Sequence, residues 1–311
     1  MAGGQERLLR RRIRSVQSTR KITRAMELIA ASRIVRAQQA IKAARPYVDQ
    51  MREVVRNLAD TPEAANHPIF RRPDSMRRAA LIVITADRGL AGAYNSSVLR
   101  ASERTLARHR QEGHDVMLVT VGRKADSHFR FRNRPPATAV TGISDRPGFA
   151  DARRVVGAVM EAYAEGDLDQ VQLIYTRFRS MGVQEVTLRQ LVPLEDVESD
   201  EEVGHHVDYE YEPDPREILD RLLPRWLEAE VFAALLESAA SEHAARQRAM
   251  KAATDNADEL TKVLTRRMNR ARQDTITTEI MEIVGGAEAL GAGASDGAGA
   301  YHGVYVPQES T

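Results

Sequence analysis

Residues 34–58, IVRAQQAIKAARPYVDQMREVVRNL, set Ile34, Ala37, Ile41, Ala44, Val48, Met51, Val55 and Leu58 at alternating steps of three and four. That spacing is the seam of a coiled coil, because a repeat of 3.5 residues keeps one stripe of an α-helix turned toward a partner helix. Upstream, Ile13, Val16, Ile22, Met26 and Ile29 continue a looser stripe, so the pattern predicts one helix from about Gln5 to Asp60. A second seam, Met250, Ala253, Ala257, Leu260, Leu264 and Ala271, predicts another from about Pro215 to Leu290. At ~1.5 Å per residue these helices reach roughly 80 and 110 Å, two to four times the width of a small domain. Either helix alone would expose its stripe. The simplest partner for each is the other, paired antiparallel as a rod, since a domain of ~150 residues offers no face that long. Alanines at many seam positions let two such helices approach closely.

Between the helices the pattern changes to α/β. Residues 79–86 (AALIVITA), 116–121 (VMLVTV), 139–142 and 171–178 (VQLIYTRF) read as strands, and 94–111 and 149–165 as helices. Ser180-Met181-Gly182 turns into 183–191, whose alternation marks a hairpin partner with one wetter face. Strands alternating with helices imply a parallel sheet with a right-handed wind and one antiparallel edge. The expected fold is therefore α/β: a Rossmann-like, five-stranded, mostly parallel sheet plus a long antiparallel two-helix coiled coil. The expected domains are 1–60 (first helix), 61–212 (α/β domain), 213–290 (second helix) and 291–311 (a flexible Gly/Ala-rich tail). Pro62, Pro68 and Pro73 mark the exit from the first helix. Asp214 and Pro215 suit the N-cap and first position of the second, while Pro224 predicts a kink or a local start.

Composition narrows the function. The 311 residues include no cysteine, which excludes disulfides, thiolate metal sites and a cysteine nucleophile. No apolar run approaches the ~20 residues of a membrane span, and MAGGQERLLRRRI does not read as a signal peptide, so a soluble cytoplasmic protein is expected. The net charge of +1 hides an asymmetry: 7–45 is strongly basic and 195–202 (EDVESDEE) acidic.

The loop 87–95 (DRGLAGAYN) follows the first strand and opens a helix, where a phosphate loop would sit. It lacks both GxGxxG and a Lys-Ser/Thr pair, so Gly89 and Gly92 read as turn and packing glycines with Asn95 capping. Adjacent His205 and His206 point apart in most backbones and make a poor metal site. No catalytic set, cofactor site or metal site is expected. Arg10, Arg11, Arg12, Arg14, Arg20, Lys21, Arg24, Arg33 and Arg36 could neutralise phosphates, which keeps a basic coiled-coil nucleic-acid-binding protein as the alternative. Aromatic residues for base stacking are absent there, and the charges surround the helix. A cationic shaft docking to an acidic protein collar is a further reading.

Residues 17–33 (QSTRKITRAMELIAASR), 242–256 (EHAARQRAMKAATDN) and 271–286 (ARQDTITTEIMEIVGG), with 85–95 (TADRGLAGAYN) and 211–215 (YEPDP), closely resemble the gamma subunit of F-type ATP synthases. The resemblance runs in order from Arg11 to Leu290. It implies a non-catalytic central-stalk rotor, one copy per complex, whose helices turn inside three alpha and three beta subunits. It also implies the epsilon subunit and the membrane c-subunit ring as partners, no cofactor and no nucleic acid. The implied location is the cytoplasmic side of the bacterial plasma membrane, peripheral to it. By position, Met26 matches a methionine tied to coupling efficiency. Arg246, Gln273, Thr277 and Glu279 match residues near the contact with beta or the facing N-terminal helix. Lys21 and Arg24 would face acidic loops of beta, and 276–290, apolar with few charges, would serve as a bearing.

Overall fold

The computed structural model describes residues 2–59, 76–193 and 215–296. The order is α1 (Ala2–Ala59), β1 (Arg78–Ile84), α2 (Tyr94–Gln111), β2 (Asp115–Val121), α3 (Arg123–Phe131), β3 (Thr138–Val140), α4 (Phe149–Ala164), β4 (Gln170–Phe178), β5 (Gln184–Val192) and α5 (Pro215–Asp296). The prolines at 62, 68, 73 and 213, Asp214, the acidic run, His205 and His206 lie outside the described residues, as does the tail beyond Asp296. Pro215 takes the first position of α5, as expected of a residue with a fixed φ and no amide to satisfy. Pro46 and Pro224 both lie inside helices. The chain is already helical before Pro224, so the local start expected there does not occur, and α5 runs past Leu290 to Asp296.

The five strands lie in the order β3-β2-β1-β4-β5, parallel except for β5, which pairs antiparallel with β4. Side chains alternate across a strand, so β1 sends Ala80, Ile82 and Ile84 to one face and Leu81 and Val83 to the other. The first face packs on Val155, Val156 and Val159 of α4, on Val55 and Leu58 of α1 and on Leu223, Trp226 and Leu227 of α5. The second packs on Val98 and Leu106 of α2 and on Ala125 and Phe129 of α3. The result is a sheet covered on both faces, which is why its inner strands are unbroken apolar runs. The helix α3, RKADSHFRF, was not expected; its two buried residues, Ala125 and Phe129, are too few to show a period. Gly122 ahead of it has φ 88°, and a Cβ there would stand 2.2 Å from the Thr85 carbonyl oxygen.

Two compact units divide the molecule, Met1–Thr23 with Ala253–Thr311, and Arg24–Ala252. In both, α1 pairs with α5. In the first, Arg20 meets Asp258 at 2.5 Å and the Thr23 and Thr254 hydroxyls meet at 2.8 Å. In the second, Arg52 meets Glu230 at 2.7 Å. Residue numbers rise along α1 as they fall along α5, so the pairing is antiparallel, as the two seams predict. Glu230 is fully buried and also takes Arg189 of β5 at 2.7 Å, which ties the helix pair to the edge strand. Two guanidinium groups on one carboxylate, with Arg52 hydrogen-bonded to Oε1, are what make burial of that charge tolerable.

The seam differs from the expected one where it turns polar. Ile22 and Ile29 are exposed and Met26 is half-buried, while Thr23, Glu27 and Ala30 are buried. A three-four spacing, broken only at the exposed Arg20, therefore runs along α1 from Ile13 and Val16 through these residues to Ile34 and Leu58. In α5 the inward positions are Thr254 and Thr261 rather than Ala253 and Leu260. The Thr261 and Thr275 hydroxyls each donate to the carbonyl one turn back at 2.8 Å, leaving their methyls to pack.

Candidate functional site

The loop after β1 lies at the carboxyl edge of the sheet, where sheets of this class take ligands. Here the chain fills that place itself. The Asp87 carboxylate accepts from the amides of Arg123, at the start of α3, of Gly142 and of Ser144, at 3.0, 2.9 and 3.1 Å. Burial opposes the charge on Asp87, but those three donors hold its carboxyl below the ordinary value. Asn95 ties the loop from within: its side-chain carbonyl accepts from the Ala86 amide at 2.9 Å, and its side-chain amide donates to the Arg88 carbonyl at 3.4 Å. The loop is a turn as expected, but Asn95 does not cap α2: the N-cap is Ala93, without a side-chain bond, and Asn95 lies inside the helix and reaches back to the loop. Leu90, at φ 62° and exposed, stands in the left-handed region that non-glycine residues rarely adopt.

Arg246 closes the other side. It is buried on α5, one turn after Glu242, and donates to Glu242 at 2.6 Å and to the Gly89 carbonyl at 3.3 Å. A second nitrogen lies 3.4 Å from His243 Nδ1. His243 Nε2 in turn reaches the Asp145 carbonyl at 3.3 Å, and the Asp145 carboxylate pairs with Arg33 of α1. Burial pushes the Glu242 carboxyl up and the His243 imidazole down, each toward its neutral form. Asp145, Glu242 and His243 are close enough to hold a metal ion, yet both carboxylates face guanidinium groups and both imidazole nitrogens have partners. The cluster is a buried charge network that locks α1, α5 and the loop together. Met26 joins it at a cleft of ≈ 230 Å³, lined also by Ile29, Arg33, Arg88, Leu90 and Arg246.

The structure thus brings together Met26 and Arg246, which the sequence separates by more than two hundred residues. Arg246, open to a reading as an ordinary solvated charge, is 8 % exposed at its side chain. Met26, open to a reading as core packing, lines an open cleft instead. Gln273, Thr277 and Glu279 are exposed and lie in the other unit, with the exposed Ile276, Ile280, Met281, Ile283 and Val284 around them. Lys21 is exposed, and Arg24 is exposed and paired with Glu27 at 2.9 Å. Asp145, Glu242 and His243, which complete the network around Arg246, were not singled out as site residues from the sequence. The only signal was the spacing of Glu242 and His243 four and three before Arg246, which places them on one helix face.

The family model described as ATP synthase matches residues 5–290. An ATP synthase gamma chain of a Parafrankia species is 48 % identical over 297 residues, covering 94 % of this chain and 99 % of its own. One from an Arthrobacter species is 48 % identical, covering 93 % and 99 %. Among solved structures, a chain of the Euglena gracilis mitochondrial ATP synthase (OSCP/F1/c-ring) matches with a TM-score of 0.66 at 18 % identity, covering 99 % of this chain and 100 % of its own. One of the Tetrahymena thermophila central stalk/c-ring matches at 0.58 and 24 %, covering 75 % and 99 %. These two share its fold. By the length and identity of the sequence matches, the chain belongs to the ATP synthase gamma chain family.

Proposed function

We infer that this chain is the central-stalk rotor of a proton-translocating F-type ATP synthase and performs no catalysis itself. The observation that carries the reading is the antiparallel α1–α5 seam, held to the sheet by the buried Glu230 ion pairs, in a chain of this family. A shaft has to resist torsion, and two helices locked by a seam do so better than one. One copy would turn within three alpha and three beta subunits, carried by the c-subunit ring with the epsilon subunit beside it. The complex would sit at the cytoplasmic face of the bacterial plasma membrane.

Residue types support this division of labour. The exposed Ile276, Ile280 and Ile283 suit a surface that slides against a sleeve with little specific adhesion. Lys21 and Arg24 suit contacts with acidic loops of beta, and Gln273, Thr277 and Glu279 offer polar groups to the collar. Met26 and Arg246 would report the rotor's position through the cleft they share. Arg20 and Arg33 already pair with acidic side chains, which lowers the charge available to a nucleic acid.

A tagged copy recovered from its own membrane fraction tests the reading. The expected result is co-purification with alpha and beta homologues, with ATP hydrolysis by the assembly and none by the chain alone. Recovery without them, or with nucleic acid lost steeply as salt rises, overturns it.

A further inference from the structure

The end of α2 carries a feature that the rotor function does not use. The helix closes with His114 N–H on the His109 carbonyl at 2.8 Å and Gly113 N–H on the Arg110 carbonyl at 3.3 Å. This is a Schellman closure, with Gly113 at φ 78° in the left-handed position that it requires. The motif brings its first and sixth residues together, usually as an apolar contact. Here both are histidines.

The two imidazoles present Nδ1 to Nδ1 at 3.3 Å, with ring centroids 5.6 Å apart. Glu112, between them, places Oε2 3.3 Å from His114 Nδ1. His109 is buried, and its Nε2 lies 2.9 Å from Oε1 of Gln172, a buried residue of β4. A carbonyl oxygen accepts, so Nε2 carries the proton and the Nδ1 lone pair points at His114. An outer partner that fixes the tautomer and aims the free nitrogen is the usual support of a metal-binding histidine. The spacing fits as well. Two ligand atoms 2.0–2.1 Å from a tetrahedral zinc stand about 3.3 to 3.4 Å apart. The carboxyl end of a helix also favours a cation.

We propose that His109, Glu112 and His114 form a binding site for zinc or a similar divalent cation, with water as the fourth ligand. The site staples the end of α2 to the start of β2 and, through Gln172, to β4. It lies apart from the Asp145, Glu242 and His243 network, where both imidazole nitrogens have partners and each carboxylate is paired through one oxygen with a guanidinium.

The test is titration of the full-length chain with zinc against a chelating dye. The wild-type chain should take up one zinc at this site, and His114→Ala should weaken uptake at least tenfold. A folded signal by circular dichroism accompanies each variant. If His114→Ala does not fold, Glu112→Gln, at an exposed side chain, decides the matter through weakening of about tenfold. His205→Ala/His206→Ala should leave binding unchanged. Substitution by cobalt should give the visible absorption of a tetrahedral nitrogen and oxygen site. No uptake by the wild-type chain overturns the proposal, as does unaltered affinity in the His114 and Glu112 variants or loss of binding in the His205/His206 variant.

Discussion

Removing the Arg246 guanidinium leaves a carboxylate in the interior without its closest partner. Glu242 is 1 % exposed at its side chain and meets Arg246 at 2.6 Å, so solvent cannot replace the lost contact. Breaking one side of a buried ion pair costs about 3–5 kcal/mol, and Arg246→Ala is expected to fall in that range. The variant also loses the bond to the Gly89 carbonyl and the contact with His243. Trp226, the one tryptophan of the chain, is buried in the same unit and reports its unfolding in urea by fluorescence. Adding Glu242→Ala should recover most of the loss, because the stranded charge is then gone. The pH dependence has a definite sign. A carboxyl whose folded pKa is raised by burial, as that of Glu242 is, binds its proton more tightly folded than unfolded. The deficit of Arg246→Ala should therefore be largest near neutrality and shrink as pH falls toward the ordinary carboxyl range of about 4.3. Asp145, His243 and Arg33 face the same network, so wild type is compared at each pH. A loss below about 1 kcal/mol at pH 7, or no recovery in the double variant, refutes the reasoning.

Other outcomes follow from the same geometry. Met26→Lys places a cation beside Arg33, Arg88 and Arg246 at the edge of an open cleft, so the chain should fold while coupling suffers. Protons pumped per ATP hydrolysed in membrane vesicles should drop, and an unchanged ratio refutes it. Gly122→Ala drives a methyl against the Thr85 carbonyl at a φ of 88°, and should lower stability by about 3 kcal/mol or more in the Trp226 assay; a loss under half that would show that the β1 and β2 ends yield easily.

The sheet was legible because its inner strands are covered on both sides and so appear as unbroken apolar runs, of which Leu81 to Ile84 is the plainest. The helix pair was legible from Ile34 to Leu58 for a related reason: a purely apolar or alanine seam shows its own period. Legibility failed at Thr23, Glu27, Thr254 and Thr261, where the inward residues are polar and outward isoleucines and a leucine mimic a stripe one position off. Residues near Met26 and Arg246 were pointed out by resemblance. Their environment was not, since nothing local says that Arg246 is buried or that Arg33 pairs with Asp145.

By itself the sequence determined the elements other than the short α3, their order and the antiparallel pairing, because periodicity and apolar runs are properties of a single stretch of chain. It also determined that the loop after β1 is a turn, since the residues of a phosphate cradle are missing. Only the tertiary structure decided which charges are interior, where Met26 looks and which side of α1 is inward near Thr23. Those depend on what another part of the chain places opposite. A buried hydroxyl or guanidinium is tolerated when a partner hundreds of residues away satisfies it, and no local pattern records that partner.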